Sequence, residues 1–308
     1  MTGNFHHKLV IIGSGPAGLS AGLYAARAEL QPVLFTGMTL HGQASLTHTI
    51  ENYPGFPDGV GGESLGVLFQ QQAEKFGTSI VYDQVTGVDL SQRPFTISTY
   101  SQVYTADTLI ITTGASPRHL NVPGENELTG RGVSYCATCD GWFFKDKHVA
   151  VVGGGDSALE EALFLTRYVK SVVIIHRRDA LRAGQILENR AKNNEKISFL
   201  FNSVVTEING EAAVTHLKVK STMSGETQEM PIEGVFIFIG HIPNSTIFGN
   251  QILMNNNGYI IVDQRMRTNV DGVFAAGEVA DPHYRQVITS AGMGAAAAIE
   301  AVRYLDNQ

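Results

Sequence analysis

Lys8-Leu9-Val10-Ile11-Ile12 is a short apolar run that stops at a glycine. That is the pattern of a parallel strand buried on both faces. It leads into Gly13-Ser14-Gly15-Pro16-Ala17-Gly18, after which Leu19, Leu23 and Ala26 recur at helical spacing. Pro32-Val33-Leu34-Phe35 predicts the next strand. The order strand, glycine loop, helix, strand belongs to dinucleotide-binding folds. The same grammar returns with His148–Val152 as strand, a loop bearing Gly153, Gly155 and Ala158, a helix from Ser157 to Tyr168, and a strand over Ser171–Ile175. Each half closes on a strand and a glycine: Leu109 to Thr113 with Gly114, and Val235 to Ile239 with Gly240. Further on, Val273-Phe274-Ala275-Ala276-Gly277-Glu278 reads as a strand ending at a cofactor, and Ala291 to Tyr304 as an Ala-rich helix.

The predicted fold class is therefore α/β, with two Rossmann-like nucleotide-binding domains. Gly114-Ala115-Ser116-Pro117 and Gly240-His241-Ile242-Pro243-Asn244 have the composition of links between domains. The C-terminal segment is expected to return to the first domain. This makes the first domain discontinuous, 1–116 and 245–308, with 117–244 inserted in it.

A length of 308 residues suits two domains, and 43% hydrophobic against 17% charged residues suits ordinary cores. The net charge of −7 excludes the basic footprint of a nucleic-acid binder. No apolar run reaches the length of a membrane span. Met1-Thr2-Gly3-Asn4-Phe5-His6-His7-Lys8 lacks the ordered regions of a secretory signal, so a cytoplasmic protein is expected. Only two cysteines occur, Cys136 and Cys139. In such a compartment a pair of this kind favours redox or metal chemistry over structural staples.

Gly13, Gly15 and Gly18 permit a tight turn, close approach of a pyrophosphate and close helix–strand packing. The helix N-terminus offers free N–H groups to the anion. An acid that holds a ribose usually ends the second strand. The first half has Phe35-Thr36-Gly37 there, and the second has His176-Arg177-Arg178-Asp179. Arginines at that place accommodate a 2′-phosphate, so the second loop, with Gly153, Gly155, Asp156, Ser157 and Ala158, reads as an NADPH site to which Arg182 could add. Cys136-Ala137-Thr138-Cys139 is too poor in ligands for a structural zinc site, and no metal is expected. A static disulfide across two residues would restrain little chain entropy. A cycling dithiol remains, in which one thiolate attacks a disulfide and the other resolves the mixed disulfide. Asp140 either relays a proton to a leaving thiolate or forms the turn before Gly141.

Taken together, these motifs resemble the small, homodimeric bacterial thioredoxin reductases of the pyridine nucleotide-disulfide oxidoreductase family. The likeness runs over nearly the whole length. It is carried by Gly13 to Gly18, Gln43, Glu51-Asn52-Tyr53-Pro54-Gly55, Thr113-Gly114-Ala115, Cys136 to Gly141, Gly153 to Ala158, His176 to Asp179, Gly240 to Asn244 and Arg285-Gln286-Val287. The resemblance implies an oxidoreductase with FAD in the outer domain and NADPH in the inserted one, reducing thioredoxin as its protein substrate. It implies that Cys136 attacks thioredoxin, that Cys139 faces the flavin and that Asp140 is the acid–base. By the same resemblance Gly13, Ser14, Gly15, Pro16, Ala17, Gly18, Gln43, Asn52, Thr113, Gly114, Gly277, Glu278, Arg285, Gln286 and Val287 line the flavin. His41-Gly42-Gln43-Ala44-Ser45-Leu46 departs from the family's Gly-Gly-Gln-Leu-Thr-Thr, and Gly277-Glu278 from its Gly-Asp.

Other functions compete on the same pattern. A flavin dithiol oxidase or ferredoxin-fed reductase is expected to lose the NADPH pocket, against which Arg177 and Arg178 argue. The flavoprotein of a peroxide-reducing system usually carries an added N-terminal module, whereas this chain starts directly at its first strand. A nucleotide sensor would not need the cysteine pair. Because nicotinamide, disulfide and a protein disulfide must each be met in turn, the inserted domain is expected to rotate about its two links.

Overall fold

The computed structural model describes residues 5–47, 49–50 and 52–308. Met1 to Asn4, and Glu51 of the Glu51–Gly55 motif, lie outside them. The chain divides into two compact units, Met1–Ser116 with Ile242–Gln308, and Pro117–His241. The first unit opens with β1 (His6–Ile12), α1 (Pro16–Arg27), β2 (Val33–Phe35), α2 (Gly62–Lys75), β3 (Ser79–Val81), β4 (Val85–Asp89), β5 (Phe95–Thr99) and β6 (Val103–Ile111), then the link strand β7 (Ala115–Pro117). The second unit holds β8 (Val133–Ser134), α3 (Ala137–Asp140), β9 (His148–Gly153), α4 (Asp156–Leu165), β10 (Ser171–Ile175), α5 (Gln185–Lys192), β11 (Ile197–Leu200), β12 (Ser203–Asn209), β13 (His216–Ser221), β14 (Thr227–Pro231) and β15 (Gly234–Phe238). The chain returns through β16 (His241–Pro243) to β17 (Val273–Ala275) and α6 (Val287–Asp306) in the first unit.

The first unit is built on a seven-stranded sheet in the order β3-β2-β1-β6-β5-β4, with β17 also on β6. The long β6 serves two partners in succession: residues 103–106 pair antiparallel with β5, and Leu109–Ile111 pair parallel with β17. Alternate side chains of β1 go to opposite faces. Leu9 and Ile11 join Leu34, Ile110 and Phe274 against α1 and α6, while Val10 and Ile12 join Phe35, Ile97 and Phe248 on the other side. Burial on both faces explains why the strand reads as one apolar run. Register brings Ile12 beside Ile111, and Ile111 beside Ala275. The loops after β1, β6 and β17 therefore emerge together at one edge of the sheet, where ligands of open α/β sheets bind.

The second unit repeats the plan with an all-parallel sheet, β11-β10-β9-β15-β8, and adds an antiparallel sheet, β12-β13-β14. Val149 and Val151 pack with Leu159, Ala162 and Leu165 of α4, and Ala150 and Val152 face Val205, Leu217 and Val219 of the antiparallel sheet. The second link leaves this unit at His241 rather than at Asn244. Asn244 is held on the first unit, its N–H donating to the Gly114 carbonyl at 2.9 Å and its side chain to the Thr113 carbonyl at 2.9 Å.

Candidate functional site

Gly13 follows β1 with φ +113°, and a Cβ there would lie 2.3 Å from the Thr112 carbonyl oxygen. A Cβ at Gly18 would lie 1.8 Å from the Gly13 carbonyl oxygen, so bare glycines let α1 lie on the strand. Gly15 differs: only the Gly42 Cα, at 4.0 Å, stands within reach of its missing Cβ. It is the N-cap of α1, with no side chain capping the first turn and Pro16 inside it. A backbone cradle that faces open space at a helix start fits a pyrophosphate. Ser14 is buried and donates to the Thr36 carbonyl at 3.1 Å, and its Oγ accepts the His41 N–H at 3.1 Å.

Other residues assigned by resemblance gather in the same unit. Gly277, with φ +75°, has the Ala17 Cβ 2.9 Å from where its own would be, so the loop after β17 lies against the start of α1. Asn52 Nδ2 donates to Gln286 Oε1 at 3.1 Å across a sequence gap of 234 residues. Gln286 caps α6, which Val287 begins. Arg285 donates through Nε and Nη2 to the Pro282 carbonyl, at 3.0 and 2.7 Å. Thr113 Oγ1 donates to the Asn244 carbonyl at 2.7 Å beside Gly114, and Gln43 opens a short 3-10 helix. Burial pushes the Glu278 carboxyl up to about 7; Arg285 lowers it and Asp281 raises it further.

The second loop is built alike. A Cβ at Gly153 would lie 2.5 Å from the Phe238 carbonyl oxygen and 2.6 Å from the Ala158 Cβ, while Gly155 has open space. Gly155 caps α4, again without a side-chain cap, and Asp156 and Ser157 are exposed in its first turn. Asp156 Oδ1 accepts the Gly184 N–H at 2.7 Å, and the Arg182 N–H donates to the Gly154 carbonyl at 2.7 Å. These bonds bring Arg182 to the loop. Arg177 and Arg178, also exposed, follow β10. None of the three arginines is ion-paired among the described residues. His176 is buried against Gly154, and its Nε2 has no hydrogen-bond partner among the described residues. Burial, and then the charges of Arg182 and Arg178, hold its imidazole below the usual range. Unpaired guanidinium groups beside an open glycine cradle fit a nucleotide with an added phosphate.

Cys136 and Cys139 are joined in a disulfide with Cα atoms 5.3 Å apart. Cys136 precedes the single turn α3, and its carbonyl accepts the Asp140 N–H at 3.1 Å. The turn places Asp140 over Ser134, whose Oγ donates to Asp140 Oδ2 at 2.6 Å and accepts the Cys136 N–H at 3.1 Å. Burial raises the Asp140 carboxyl above the usual carboxylate range, and the Ser134 bond opposes it. An acid beside a thiol pair, its carboxyl raised by burial, is placed to supply a proton to a departing thiolate. Ser134 is a participant that the sequence pattern does not reveal. Among the described residues no group of three or more His, Cys, Asp or Glu side chains could hold a metal ion. No described helix is long and apolar enough to cross a membrane.

Two open glycine loops at helix starts and a disulfide in one chain define a class, and the pyridine nucleotide-disulphide oxidoreductase profile matches residues 7–294. The chain belongs to that family. Within it, the thioredoxin reductase of Chlamydia trachomatis serovar D is 50% identical over 310 residues, covering 98% of this chain and 99% of that protein. The thioredoxin reductase of Rickettsia bellii is 51% identical over 304 residues, covering 97% and 98%. The crystal structure of thioredoxin reductase from Streptococcus pyogenes MGAS5005 superposes with a TM-score of 0.94 at 41% identity, covering 99% of this chain and 100% of that one.

Proposed function

We propose that the protein is a thioredoxin reductase that passes electrons from NADPH through FAD and the Cys136/Cys139 pair to the disulfide of thioredoxin. The first unit binds FAD through Gly13–Gly18 and the residues gathered around Glu278 and Gln286. The unit Pro117–His241 binds NADPH through Gly153–Ala158, His176, Arg177, Arg178 and Arg182. It acts in the cytoplasm as a homodimer. Bound in the two cradles, flavin and nicotinamide supply the two-electron carriers that return the cysteine pair to the dithiol.

The chain's own residues do the rest. The Cys136 thiolate attacks one sulfur of the thioredoxin disulfide, forming a mixed disulfide and releasing one thiolate. The Cys139 thiolate then attacks Cys136 Sγ, the Cys136–Cys139 bond forms, and the second thioredoxin thiolate leaves. Two electrons pass from the cysteine pair to the substrate, and Asp140 is placed to protonate a leaving thiolate. The observation that carries this reading is the Cys136–Cys139 disulfide, set beside the buried Asp140 carboxyl in the unit that bears the arginine-lined cradle. Anaerobic mixing with NADPH or NADH, followed by oxidised thioredoxin, tests it. NADPH should bleach a yellow protein and thioredoxin should recover the colour, with NADH much slower. A protein bleached by NADPH that leaves thioredoxin oxidised would refute the substrate.

A further inference from the structure

The residue before Cys136 is anchored by a buried carboxylate that has no place in the chemistry above. Glu125 is 1% exposed. Its Oε1 accepts the Leu120 N–H at 2.9 Å and the Tyr135 hydroxyl at 2.8 Å, and its Oε2 accepts the Asn121 N–H at 2.7 Å. His119 Nδ1 lies 2.8 Å from the same Tyr135 hydroxyl, with the two rings edge to face at 5.2 Å. Burial, and then Glu125 as acceptor and as neighbouring charge, push the Tyr135 hydroxyl far above its usual range. It therefore stays protonated and donates its one hydrogen to Glu125. Its oxygen can then only accept from His119, which fixes the proton of that imidazole on Nδ1.

We infer that Tyr135, clamped by Glu125 and His119, is a positioning residue for Cys136. It ties the redox segment to residues 119–122, which follow the first link. Tyr135 stands directly between Ser134, which holds the Cys136 N–H and Asp140, and Cys136 itself. A clamp there sets the path on which the Cys136 sulfur meets the Cys139 sulfur. Closing the disulfide requires the two thiols at high effective concentration, and an ordered backbone supplies it. Without the Tyr135 hydroxyl, Glu125 loses one donor inside the protein, and His119 Nδ1 keeps only its contact with Glu125 Oε1 at 3.4 Å. The segment then samples more conformations in the dithiol, and closure becomes less favourable.

The inference rests on a cycling Cys136/Cys139 pair, and the test separates the two. The intact protein is equilibrated anaerobically at pH 7 with mixtures of glutathione and glutathione disulfide, and then quenched by alkylation. The fraction oxidised is read by mass. In this exchange two protein thiols lose two electrons, one glutathione disulfide gains them, and two glutathione thiols form. If the wild-type pair does not exchange reversibly, the functional reading itself fails. If it does, Tyr135→Phe should lower the equilibrium constant for closing the disulfide by at least threefold, and alkylation of Cys136 in the dithiol should change in rate. His119→Gln, which keeps a donor for the hydroxyl, should stay within twofold of the wild type. A Tyr135→Phe constant within threefold of the wild type overturns the inference, and so does an equal loss in His119→Gln. Should Tyr135→Phe fail to fold, His119→Ala, whose ring lies at the surface, carries the test with at least a twofold loss expected.

Discussion

Glu278 keeps a carboxylate where a shorter acid is the family pattern, and burial pushes that group up to about 7 from an ordinary 4.5. An acid whose folded pKa is raised favours folding in its protonated form. Its contribution is complete below about 4.5 and is lost as pH rises through 7. At roughly 1.4 kcal/mol per pKa unit the loss is at most about 3 kcal/mol. Glu278→Gln stays neutral throughout. Between pH 5 and 8 the wild type should lose about 2–3 kcal/mol relative to it in urea denaturation, and parallel curves would place the carboxylate in water. The basic turn offers a separate test. A hydrogen bond to a charged group contributes about 1.5–3 kcal/mol, so Arg177→Ala or Arg178→Ala should weaken NADPH roughly 10- to 100-fold. NADH should change little. Titration calorimetry that showed equal losses for both nucleotides would rule out phosphate recognition. The proposal for these arginines is legible in the sequence because charge directly after a buried strand is conspicuous. Ser134, Glu125 and Tyr135 are not, because ordinary residue types acquire their roles only from partners the fold brings near.

The two glycine loops show how an element divides its labour. Gly18→Ala would drive a Cβ to 1.8 Å from backbone, which α1 can relieve only by moving. Overpacking of this kind costs about 1–3 kcal/mol. Gly15→Ala meets only Gly42 at 4.0 Å and should cost less than about 1 kcal/mol, while filling the space a pyrophosphate needs. Chemical denaturation should find Gly18→Ala the less stable of the two, while FAD should leave Gly15→Ala faster than its small loss of stability explains; unchanged FAD retention in Gly15→Ala would mean that Gly15 does not face the ligand. The glycine-bounded strands were readable because burial on both faces leaves an unbroken apolar run. The ends of elements were less so. Apolar spacing predicts a helix from Ala291, but α6 begins at Val287, where Gln286 and Thr289 cap each other reciprocally. The pattern also puts a strand over Leu109 to Thr113, whereas β6 starts at Val103. Its first half alternates polar and apolar residues against β5 and so carries no apolar run.

At the scale of the molecule, the discontinuous course of the chain follows from repetition: two copies of one strand–loop–helix grammar, then a strand that pairs back onto β6. That return was readable because Val273–Ala275 is apolar and ends at Gly277. The antiparallel sheet β12-β13-β14 was not, since β13 alternates buried and more exposed positions and β14 lies almost wholly at the surface, so neither carries an apolar run; the Ser203 N–H at the start of β12 donates to the His176 carbonyl and joins this sheet to the basic turn. The central claim is that electrons reach thioredoxin through Cys136, with Cys139 as the resolving thiol. It is tested by mixing Cys139→Ser and, separately, Cys136→Ser with thioredoxin that retains a single active-site cysteine, activated as a mixed disulfide. Adducts are then mapped by mass spectrometry. Cys139→Ser should form a lasting disulfide between Cys136 and thioredoxin, because no resolving thiolate remains, and Cys136→Ser should form none. A lasting adduct only through Cys139 would reverse the roles, and no adduct through either would contradict the account.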